Sequence, residues 1–388
     1  MRKGWEYKKL GEVCTIERGG SPRPINDYIT DSEDGINWIK IGDAQEGSKY
    51  ITSTKEKIKP EGVKKSRFVH KGDFILSNSM SFGRPYILKV DGCIHDGWLV
   101  IHDNNDIFIK DYLYYLLANP TMYAKFSQLA VGGVVNNLNS SLVRKVEITI
   151  PPKSTQLAIV SELDKINDLI RLKKEQLKDF DNLAQSLFYE MFGDPVENEK
   201  GWEVKKLGEI AKSAIGLTYK PENVTEELSG TVVLRSSNIQ NSILDFNDIV
   251  RVNVLVKEDK MVNDGDILMC SRNGSFKLVG KVALIKGLKE RMSYGAFMTI
   301  IRSPYNPYLF EYFKTPAFRQ YLITGKTTTV NQITVKMLNN LTLPLPPLSH
   351  QRLFAQRIEQ IEREKSEVQK SIQDLETLLA SRMQYWFE

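Results

Sequence analysis

The chain has 388 residues, 41% of them hydrophobic, which is enough for about two or three globular domains with ordinary cores. Its 53 basic and 48 acidic residues give a formal net charge of +5, which permits nucleic acid as a partner without requiring it. The sequence shows no signal segment, and no apolar run approaches the length of about 18 residues that a membrane span needs. We therefore expect a cytoplasmic protein with no membrane association. The cysteines number 3 and lie far apart, so we expect neither a disulfide framework nor a zinc ribbon.

The chain contains an internal duplication. Residues 4–13 read GWEYKKLGEV and residues 201–210 read GWEVKKLGEI, so only the fourth and last letters of the two stretches differ. Two further pairs follow in the same order: KGDFILSNSMSFG (71–83) with DGDILMCSRNGSF (264–276), and VVNNLNSSLVRKVEITIPPKSTQ (134–156) with TVNQITVKMLNNLTLPLPPLSHQ (329–351). The spacing far exceeds the roughly 20–50 residues of solenoid repeats, so the duplication predicts two related domains.

Each repeat is predicted to form an α+β body followed by a long helix. Short runs rich in β-branched and aromatic residues predict strands, namely WEYKKLGEVCTIE, INWIKIGD, GDFILS, YILKV and VEITI in the first body and TVVLRSS, GDILMC, VGKVALI and AFMTII in the second. Residues 109–130 and 307–323 have helical patterns that Pro120 and Pro316 interrupt. We expect bodies at residues 1–150 (body 1) and 195–345 (body 2), with helices at 151–194 and 346–388.

The segments after the double prolines carry heptad repeats. Their apolar residues recur alternately four and three apart, which favours a coiled coil over an ordinary amphipathic core helix. The predicted seam comprises Ile159, Leu163, Ile166, Ile170, Leu177, Phe180, Ala184, Leu187 and Met191 in the first helix and Phe354, Ile358, Ile361, Val368, Ile372, Leu375 and Leu379 in the second. Three charged residues interrupt it, namely Lys173, Lys365 and Arg382.

The ends of these helices are also predicted. Ser154 and Ser349 are suitable N-caps, and Gly193 followed by Pro195 would end the first helix. From Thr155 to Phe192 that helix would extend about 57 Å. The two helices could pair in parallel or antiparallel, and an antiparallel pair would give the chain internal pseudo-two-fold symmetry.

Templates for catalysis are not matched. Gly325–Thr327 reads GKT, but Gln320 stands where a phosphate-binding loop needs its first glycine. The double prolines lack the preceding Asn or Asp and the following aromatic residue of amino-methyltransferases. E-x-K occurs in both opening repeats, but no suitable Pro-Asp precedes it, and the histidines show no metal-ligand spacing. We therefore expect a binding protein without catalytic or metal-ligating residues, in which His95 is structural or faces DNA.

Several loops concentrate Gly, Ser, Asn and Arg, and two of them follow the duplicated Gly-Asp strands. Arg can bind guanine through two hydrogen bonds, Asn and Gln can bind adenine, and Ser and Thr can bind either base edges or phosphates. The same residue types also form ordinary turns. Their recurrence at corresponding positions of both bodies favours a role in binding DNA.

The arrangement resembles the DNA specificity (S) subunit of type I restriction-modification systems over essentially the whole chain. The resemblance rests on GWE-x-KKLGE in both halves, on RGGSPRP, INWIKIGD, KGDFILSNSMSFGRP, CIHDGW and GLTYKPE, and on IPPKSTQ and LPPLSHQ before the helices. It implies two mixed α/β target recognition domains separated by two long antiparallel helices that form a coiled coil. Each domain would read one half of a bipartite site in double-stranded DNA, and the helices would set the spacer.

The resemblance also implies partners and cofactors. Two methyltransferase subunits would bring S-adenosylmethionine, and restriction subunits would bring ATP and Mg, so this chain itself would bind no cofactor. A two-headed protein-binding scaffold and a nuclease with an unrecognised site remain alternatives. From loop position and side-chain type we predict the following DNA-binding residues: Arg23, Ser77, Asn78, Ser79, Ser81, Arg84, Asn136 and Asn137 in body 1, and Tyr219, Lys220, Arg235, Ser236, Asn238, Arg272, Asn273, Ser275 and Lys277 in body 2.

Overall fold

The computed structural model describes residues 2–45, 47–78, 83–130, 138–324 and 331–388. The chain divides into two compact units. Unit 1 comprises Met1–Lys174 and Lys370–Glu388, and unit 2 comprises Glu175–Gln369. Each unit therefore contains one body together with part of each of the two longest helices, which are α5 (Lys153–Phe192) and α10 (Leu348–Phe387).

Unit 1 is built from short strands and a few helices. Its strands are β1 (Glu6–Lys9), β2 (Cys14–Arg18), β3 (Ile29–Thr30), β4 (Ile36–Ile39), β5 (Tyr50–Ile51), β6 (Glu56–Ile58), β7 (Arg67–Val69), β8 (Phe74–Ser77), β9 (Pro85–Leu88), β10 (Gly92–Ile94), β11 (Trp98–Asp103) and β12 (Glu147–Ile150). Its shorter helices are α1 (Leu10–Val13), α2 (Lys110–Ala118), α3 (Pro120–Ala130) and α4 (Ser140–Val143). Three 3-10 turns lie at Ile25–Asp27, Ile41–Asp43 and Pro60–Lys65.

The strands of unit 1 form two five-stranded sheets that pack face to face. Their orders are β3-β6-β4-β10-β7 and β2-β11-β8-β9-β5. Strand β11 is buried on both faces: Trp98 and Val100 pack in the cluster shared with the first sheet, whereas Leu99 and Ile101 pack against the helices. Since period-2 alternation sends successive side chains to opposite faces, the first four residues of this strand are all apolar. The result is three layers, with the second sheet in the middle.

Unit 2 repeats this plan with slightly smaller sheets. Its strands are β13 (Glu203–Lys206), β14 (Lys212–Ile215), β15 (Val224–Thr225), β16 (Thr231–Leu234), β17 (Ile239–Gln240), β18 (Ile243–Leu244), β19 (Arg251–Val252), β20 (Ile267–Cys270), β21 (Val282–Leu284), β22 (Met292–Tyr294), β23 (Met298–Arg302) and β24 (Thr342–Leu345). Its shorter helices are α6 (Leu207–Ile210), α7 (Asn306–Tyr312), α8 (Pro316–Thr324) and α9 (Val335–Asn340). The 3-10 turns lie at Pro221–Asn223, Ser236–Asn238, Glu258–Lys260 and Phe276–Leu278.

The two four-stranded sheets of unit 2 have the orders β14-β23-β20-β21 and β15-β19-β16-β22. They share one apolar cluster, and a second cluster fills the space between the first sheet and the helices. In both units the predicted helical interruptions are confirmed, because Pro120 and Pro316 each begin a new helix. Proline suits this place, since the first helical residue needs no N–H partner.

The first and last strands of each body pair with each other. Strand β1 runs antiparallel to β12, and β13 runs antiparallel to β24. Both pairs are extended by a close contact at the glycine of the repeated KKLGE: a Cβ on Gly11 would lie 2.7 Å from the Cβ of Arg144, and one on Gly208 would lie 2.9 Å from the Cβ of Asn339. The repeated opening sequence therefore forms half of the strand pair that closes each body. We call this strand pair, together with the glycine contact beside it, the closing seam.

The repeated P-P-x-x-x-Q motif joins each body to its helix. Gln156 is 1% exposed, and its Nε2 donates to the carbonyls of Pro151 and Ile107 at 3.0 Å each. Its Oε1 accepts from the amide of Ile109 at 2.8 Å. In unit 2 the buried Gln351 donates to the carbonyl of Pro346 at 2.7 Å. The glutamine thus satisfies backbone groups that the prolines and the helix start leave unpaired.

The helices start slightly earlier than predicted, and the serine caps are wrong. Thr155 and Gln156 donate their amides to the carbonyl of Pro152, and the corresponding amides of unit 2 donate to Pro347. Each second proline therefore occupies the N-cap, and Ser154 lies inside the first turn. The predicted stop is confirmed, because α5 ends at Phe192 and Gly193 follows with a φ of 78°.

In unit 1 the helix segments pair antiparallel. The guanidinium of Arg382 and the indole N–H of Trp386 both bind Glu162, and Lys174 binds Glu376 at 2.9 Å. Residue numbers therefore increase along α5 while those of the contacting residues decrease along α10, so the two segments run in opposite directions. The predicted seam residues of this unit are buried or half-buried: Ile159, Leu163, Ile166, Ile170 and Ile372 are buried, and Leu375 and Leu379 are half-buried.

In unit 2 the pairing has the same direction. Lys365 binds Asp181 at 2.8 Å, and the rings of Phe192 and Phe354 lie 4.9 Å apart. Leu187, Phe354, Ile361 and Val368 are buried, whereas Leu177, Phe180 and Ile358 are half-buried. The predicted interruptions Lys365 and Arg382 thus lie in ion pairs between the helices.

We predict that Gln156→Met destabilises the full-length chain by about 2 kcal/mol or more. Methionine keeps the size of the side chain but leaves buried backbone groups unpaired, at about 1–3 kcal/mol for each such group. Urea unfolding followed by circular dichroism measures the change. Gln128→Met, at an exposed site of α3, is the matched control, and an equal effect of both substitutions would contradict the junction role.

We also predict that Gly11→Ala destabilises the chain by about 1–3 kcal/mol, because the added methyl group overlaps Arg144 and forces the closing seam apart. Gly42→Ala is the control, since a Cβ there meets no atom within 4 Å. Thermal unfolding of both variants provides the comparison. If the Gly11→Ala protein is as stable as the Gly42→Ala protein, the closing seam accommodates the methyl group without loss of stability, and the prediction is wrong.

Candidate nucleic-acid interface

The candidate interface of each unit is the edge at which strands of its two sheets end together. In unit 2 the amide of Gly295 donates to the carbonyl of Leu234 at 2.9 Å, and the amide of Leu217 donates to Tyr294 at 2.6 Å. The ends of β14, β16 and β22 therefore meet at one place. We call this edge rim 2 and define it as residues 216–220, 235–238, 271–277, 295–297 and 331–333.

The loop after β20 is fixed in rim 2 from two sides. The amides of Ser271 and Arg272 donate to the carbonyl of Phe297 at 2.9 and 3.1 Å. The side chain of Asn273 donates to the hydroxyl of Ser236 at 3.2 Å, which joins this loop to the loop after β16. The structure thus brings together three of the predicted residues, Ser236, Arg272 and Asn273.

The segment 331–333 fixes the same loop from a third side. Ile333 donates its amide to the carbonyl of Ser271 at 2.7 Å, and Asn331 donates its side chain to the carbonyl of Gly274 at 2.9 Å. Backbone groups of the loop are therefore held by neighbours before any ligand binds. Side chains on such a preorganised loop lose less conformational entropy when they bind.

Arg272 is exposed and lies against an exposed aromatic ring. Its guanidinium carbon is 5.2 Å from the centroid of Phe297, whose side chain is 58% exposed. This distance is within the range of cation–π attraction. Ser275 and Lys277 are exposed farther along the same loop.

Other predicted residues of body 2 have different surroundings. Asn238 is 1% exposed, and its side chain binds the carbonyls of Asp245 and Asp248 and the amide of Arg235, so it supports the loop from inside. Arg235 is half-buried and pairs with Asp248 at 2.7 Å. Tyr219 is half-buried and Lys220 is exposed beside Glu222.

Unit 1 has a corresponding edge. The amides of Gly19 and Gly20 donate to the carbonyls of Trp98 and Ile94 at 2.9 and 3.2 Å, and the amide of Asn78 donates to Gly97 at 2.9 Å. The ends of β2, β8 and β10 therefore meet beside the turn that precedes β11. We call this edge rim 1 and define it as residues 18–23, 40, 78, 84 and 95–97.

Asp96 is the centre of rim 1. Its carboxylate accepts from the hydroxyl of Ser21 at 2.7 Å and lies 3.5 Å from the guanidinium of Arg23. Its main-chain carbonyl accepts from Nε of Arg18 at 2.8 Å and from the amide group of Asn78 at 3.0 Å. One residue thus binds four polar side chains that come from two separate loops.

The charge of this centre follows from its surroundings. The hydrogen bond from Ser21 lowers the pKa of the Asp96 carboxyl below its ordinary value, so the group is ionised at neutral pH. Burial lowers the pKa of His95, whose Nδ1 accepts from the amide of Gly97 at 2.6 Å. His95 therefore supports the turn as a neutral ring, which agrees with a structural role.

The other predicted DNA-binding residues of body 1 differ in their exposure to solvent. Ser77 is 2% exposed and exchanges hydrogen bonds with the backbone of Arg84, whereas Asn78 is fully buried beneath Asp96. The side chains of Arg23 and Arg84 are exposed. The predictions for Ser79, Ser81, Asn136 and Asn137 lie outside the described residues.

Sequence reasoning missed the residues at the turns, namely Arg18, Asp96 and Phe297. Asp96 occurs within the CIHDGW motif, and the order of the repeats aligns it with the region of Phe297 just before the corresponding strand. Composition did not select this turn in unit 2, because it lacks the Gly, Ser, Asn and Arg cluster of the other loops. The signal that was available is its position between the duplicated strands.

Three further observations concern metal ligands, membrane spans and cysteines. Within the described ranges, no group of three His, Cys, Asp or Glu residues is arranged to hold a metal ion. Across the same part of the chain, no helix combines the length and the apolar character needed to cross a bilayer. The free cysteines Cys14, Cys93 and Cys270 are buried, and burial raises the pKa of each thiol.

Comparisons with known proteins agree with the duplicated architecture. A specificity subunit of the type I restriction enzyme MjaIX from Methanocaldococcus jannaschii is 27% identical over 298 residues, which cover 71% of this chain and 68% of the relative. The EcoKI specificity subunit from Escherichia coli is 22% identical over 392 residues, which cover 93% of this chain and 82% of the relative.

A solved structure confirms the predicted fold class. It is a chain from work on the complex assembly and conformational transition of the type I R-M system, and the match covers 100% of this chain and 98% of that one. The TM-score is 0.68 at 19% sequence identity. The family model described as the type I restriction modification DNA specificity domain matches residues 2–179 and again residues 199–377. Because these two matches span most of the sequence, the chain belongs to the family of type I restriction modification DNA specificity domains and carries two copies of that domain.

Proposed function

We propose that the chain is the non-catalytic specificity subunit of a type I restriction-modification system and that it reads a bipartite site in double-stranded DNA. The observation that carries the proposal is the family match to both halves, each of which contains one rim. Unit 1 would read one half-site through rim 1, and unit 2 would read the other through rim 2. The names of the relatives, specificity subunits of type I restriction enzymes, support the same role.

The chemistry of the rims supports DNA as the ligand. Rim 1 presents the exposed Arg23 and Arg84 near Ser21, and rim 2 presents the exposed Arg272 near Ser236 and Asn273. Guanidinium groups donate to guanine or phosphate, and hydroxyl and amide groups bind either partner. The ion pairs of Arg235 with Asp248 and of Lys220 with Glu222 partly offset the positive charge of rim 2, and the pair of Arg23 with Asp96 does the same in rim 1. This balance suits selective contacts better than purely electrostatic binding.

The difference between the rims supports an asymmetric target. Both units place their loops on the same framework of strand ends, but the side chains at corresponding places differ. Asp96 is the centre of rim 1, whereas the exposed Phe297 occupies the matching turn of rim 2. Two different sets of donors, acceptors and apolar groups would select two different base sequences.

The proposal also implies partner subunits and a role for the long helices. Two methyltransferase subunits with S-adenosylmethionine would modify adenines in the site, and restriction subunits with ATP and Mg would cleave unmodified DNA. The paired helices α5 and α10 would set the number of unspecified base pairs between the half-sites. The chain itself would hold no cofactor, and it would act in the cytoplasm, where it meets the DNA.

We expect that replacing residues 203–345 with the corresponding body of another family member changes only one half of the methylated motif. The exchange points lie in the paired strands β13 and β24, so the junction with the helices is kept. Genome-wide adenine methylation in a host without other such enzymes measures the motif, with and without the gene. Replacing residues 6–150 should change the opposite half. No gene-dependent motif, or a change in both halves after one exchange, would contradict the proposed function.

Arg272→Ala should lower discrimination at one base position of one half-site by about 1–3 kcal/mol if the guanidinium binds a base edge. Binding of the assembled complex to duplexes with single-base changes in its motif measures the loss. Arg291→Ala is the control, because Arg291 is exposed at the opposite end of β22 from the turn. Unchanged discrimination with a smaller salt dependence would instead make Arg272 a phosphate contact.

A further inference from the structure

The turn that precedes the central strand has the same backbone position in both units. It comprises residues 95–97 before β11 and residues 295–297 before β23. A glycine that follows the neighbouring strand packs tightly against each turn: a Cβ on Gly19 would lie 2.2 Å from the carbonyl oxygen of His95, and one on Gly216 would lie 2.3 Å from that of Gly295. Only glycine fits at these two places, so each turn is held in a fixed position within its rim.

The side chains on the two turns differ, but both contact arginines of the adjoining loops. In unit 1 Asp96 binds Arg18 through its carbonyl and lies beside Arg23 through its carboxylate. In unit 2 the ring of Phe297 lies against the guanidinium of Arg272. The acid and the aromatic ring thus lie one position apart on the same turn, because Asp96 is two residues before β11 and Phe297 is directly before β23. Each lies next to an exposed arginine of its rim.

The ring of Phe297 has no evident role in the core. It is 58% exposed, and the bonds that the residue makes to Ser271 and Arg272 use its main-chain carbonyl, which any residue would provide. More than half of the surface of this apolar residue therefore faces solvent. Its contact with Arg272 is the interaction that depends on the ring itself.

We propose that Phe297 and Asp96 are positioning residues that orient the rim arginines toward DNA bases and so determine specificity in the two half-sites. The inference rests on the proposed function and deepens it. A ring that stacks on the flat face of a guanidinium leaves the N–H groups at its edge free to donate. In rim 1 the carboxylate of Asp96 instead contacts one edge of the Arg23 guanidinium and leaves its other N–H groups free to donate. In both cases the arginine is preorganised, which favours a contact with two hydrogen bonds over loose attraction to phosphate.

The test uses the complete system and its own host genome as the DNA probe. Phe297→Ala should relax the same base position of the methylated motif as Arg272→Ala, whereas Phe297→Tyr, which keeps the ring, should preserve that position. Asp96→Asn should relax a position in the other half. Binding to duplexes should show a loss of discrimination of about twofold to thirtyfold for Phe297→Ala. Phe246→Ala, at a ring that is 43% exposed in the same unit, is the matched control.

A double substitution separates positioning from direct contact. If Phe297 acts through Arg272, adding Phe297→Ala to the Arg272→Ala chain should cause little further loss. An undiminished loss in that background, an unchanged motif in the single variant, or loss of methylation at both half-sites would overturn the proposal. Failure of the proposed function would look different, because the wild-type gene would then direct no methylated motif at all.

Discussion

The pairing of the first strand of each body with its last strand is the constraint on which the rest of the structure depends. Glu6 pairs with Ile150 in unit 1, and Glu203 pairs with Leu345 in unit 2. The chain therefore enters and leaves each body at the same place, directly beside the start of a long helix. A body closed in this way can vary inside without changing how its helix begins.

Two of the three repeated pairs of stretches, the opening sequence and the stretch that contains the double proline, build this junction. Gly11 and Gly208 allow a close approach behind the closing strands, and Gln156 and Gln351 bind the proline carbonyls at the start of each helix. The rims, by contrast, keep their backbone positions and differ in their side chains. A specificity protein needs this separation, because changing the recognised bases must not disturb the element that sets their spacing.

Much of this fold could be predicted because its signals are periodic or local. The heptad pattern located both long helices, and the prolines located the breaks at Pro120 and Pro316. Candidate binding residues are harder to predict, since a polar side chain in a loop either faces a ligand or satisfies the loop's own backbone. Asn238 does the second, which only its buried contacts with two carbonyls reveal. Phe297 was missed because its turn lacks the Gly, Ser, Asn and Arg cluster by which the other loops were selected.

Under the proposed function, the two rims differ in how they limit the attraction of an arginine to DNA phosphates. An arginine near DNA is attracted to every phosphate, so selectivity requires that the attraction be limited or directed. In rim 1 the ionised Asp96 beside Arg23 opposes an approach by phosphate, although an exposed ion pair contributes little stability by itself. In rim 2 the ring that lies against Arg272 carries no charge, so Phe297 does not neutralise the guanidinium. Under the proposed function, binding through rim 2 should therefore depend more strongly on salt than binding through rim 1.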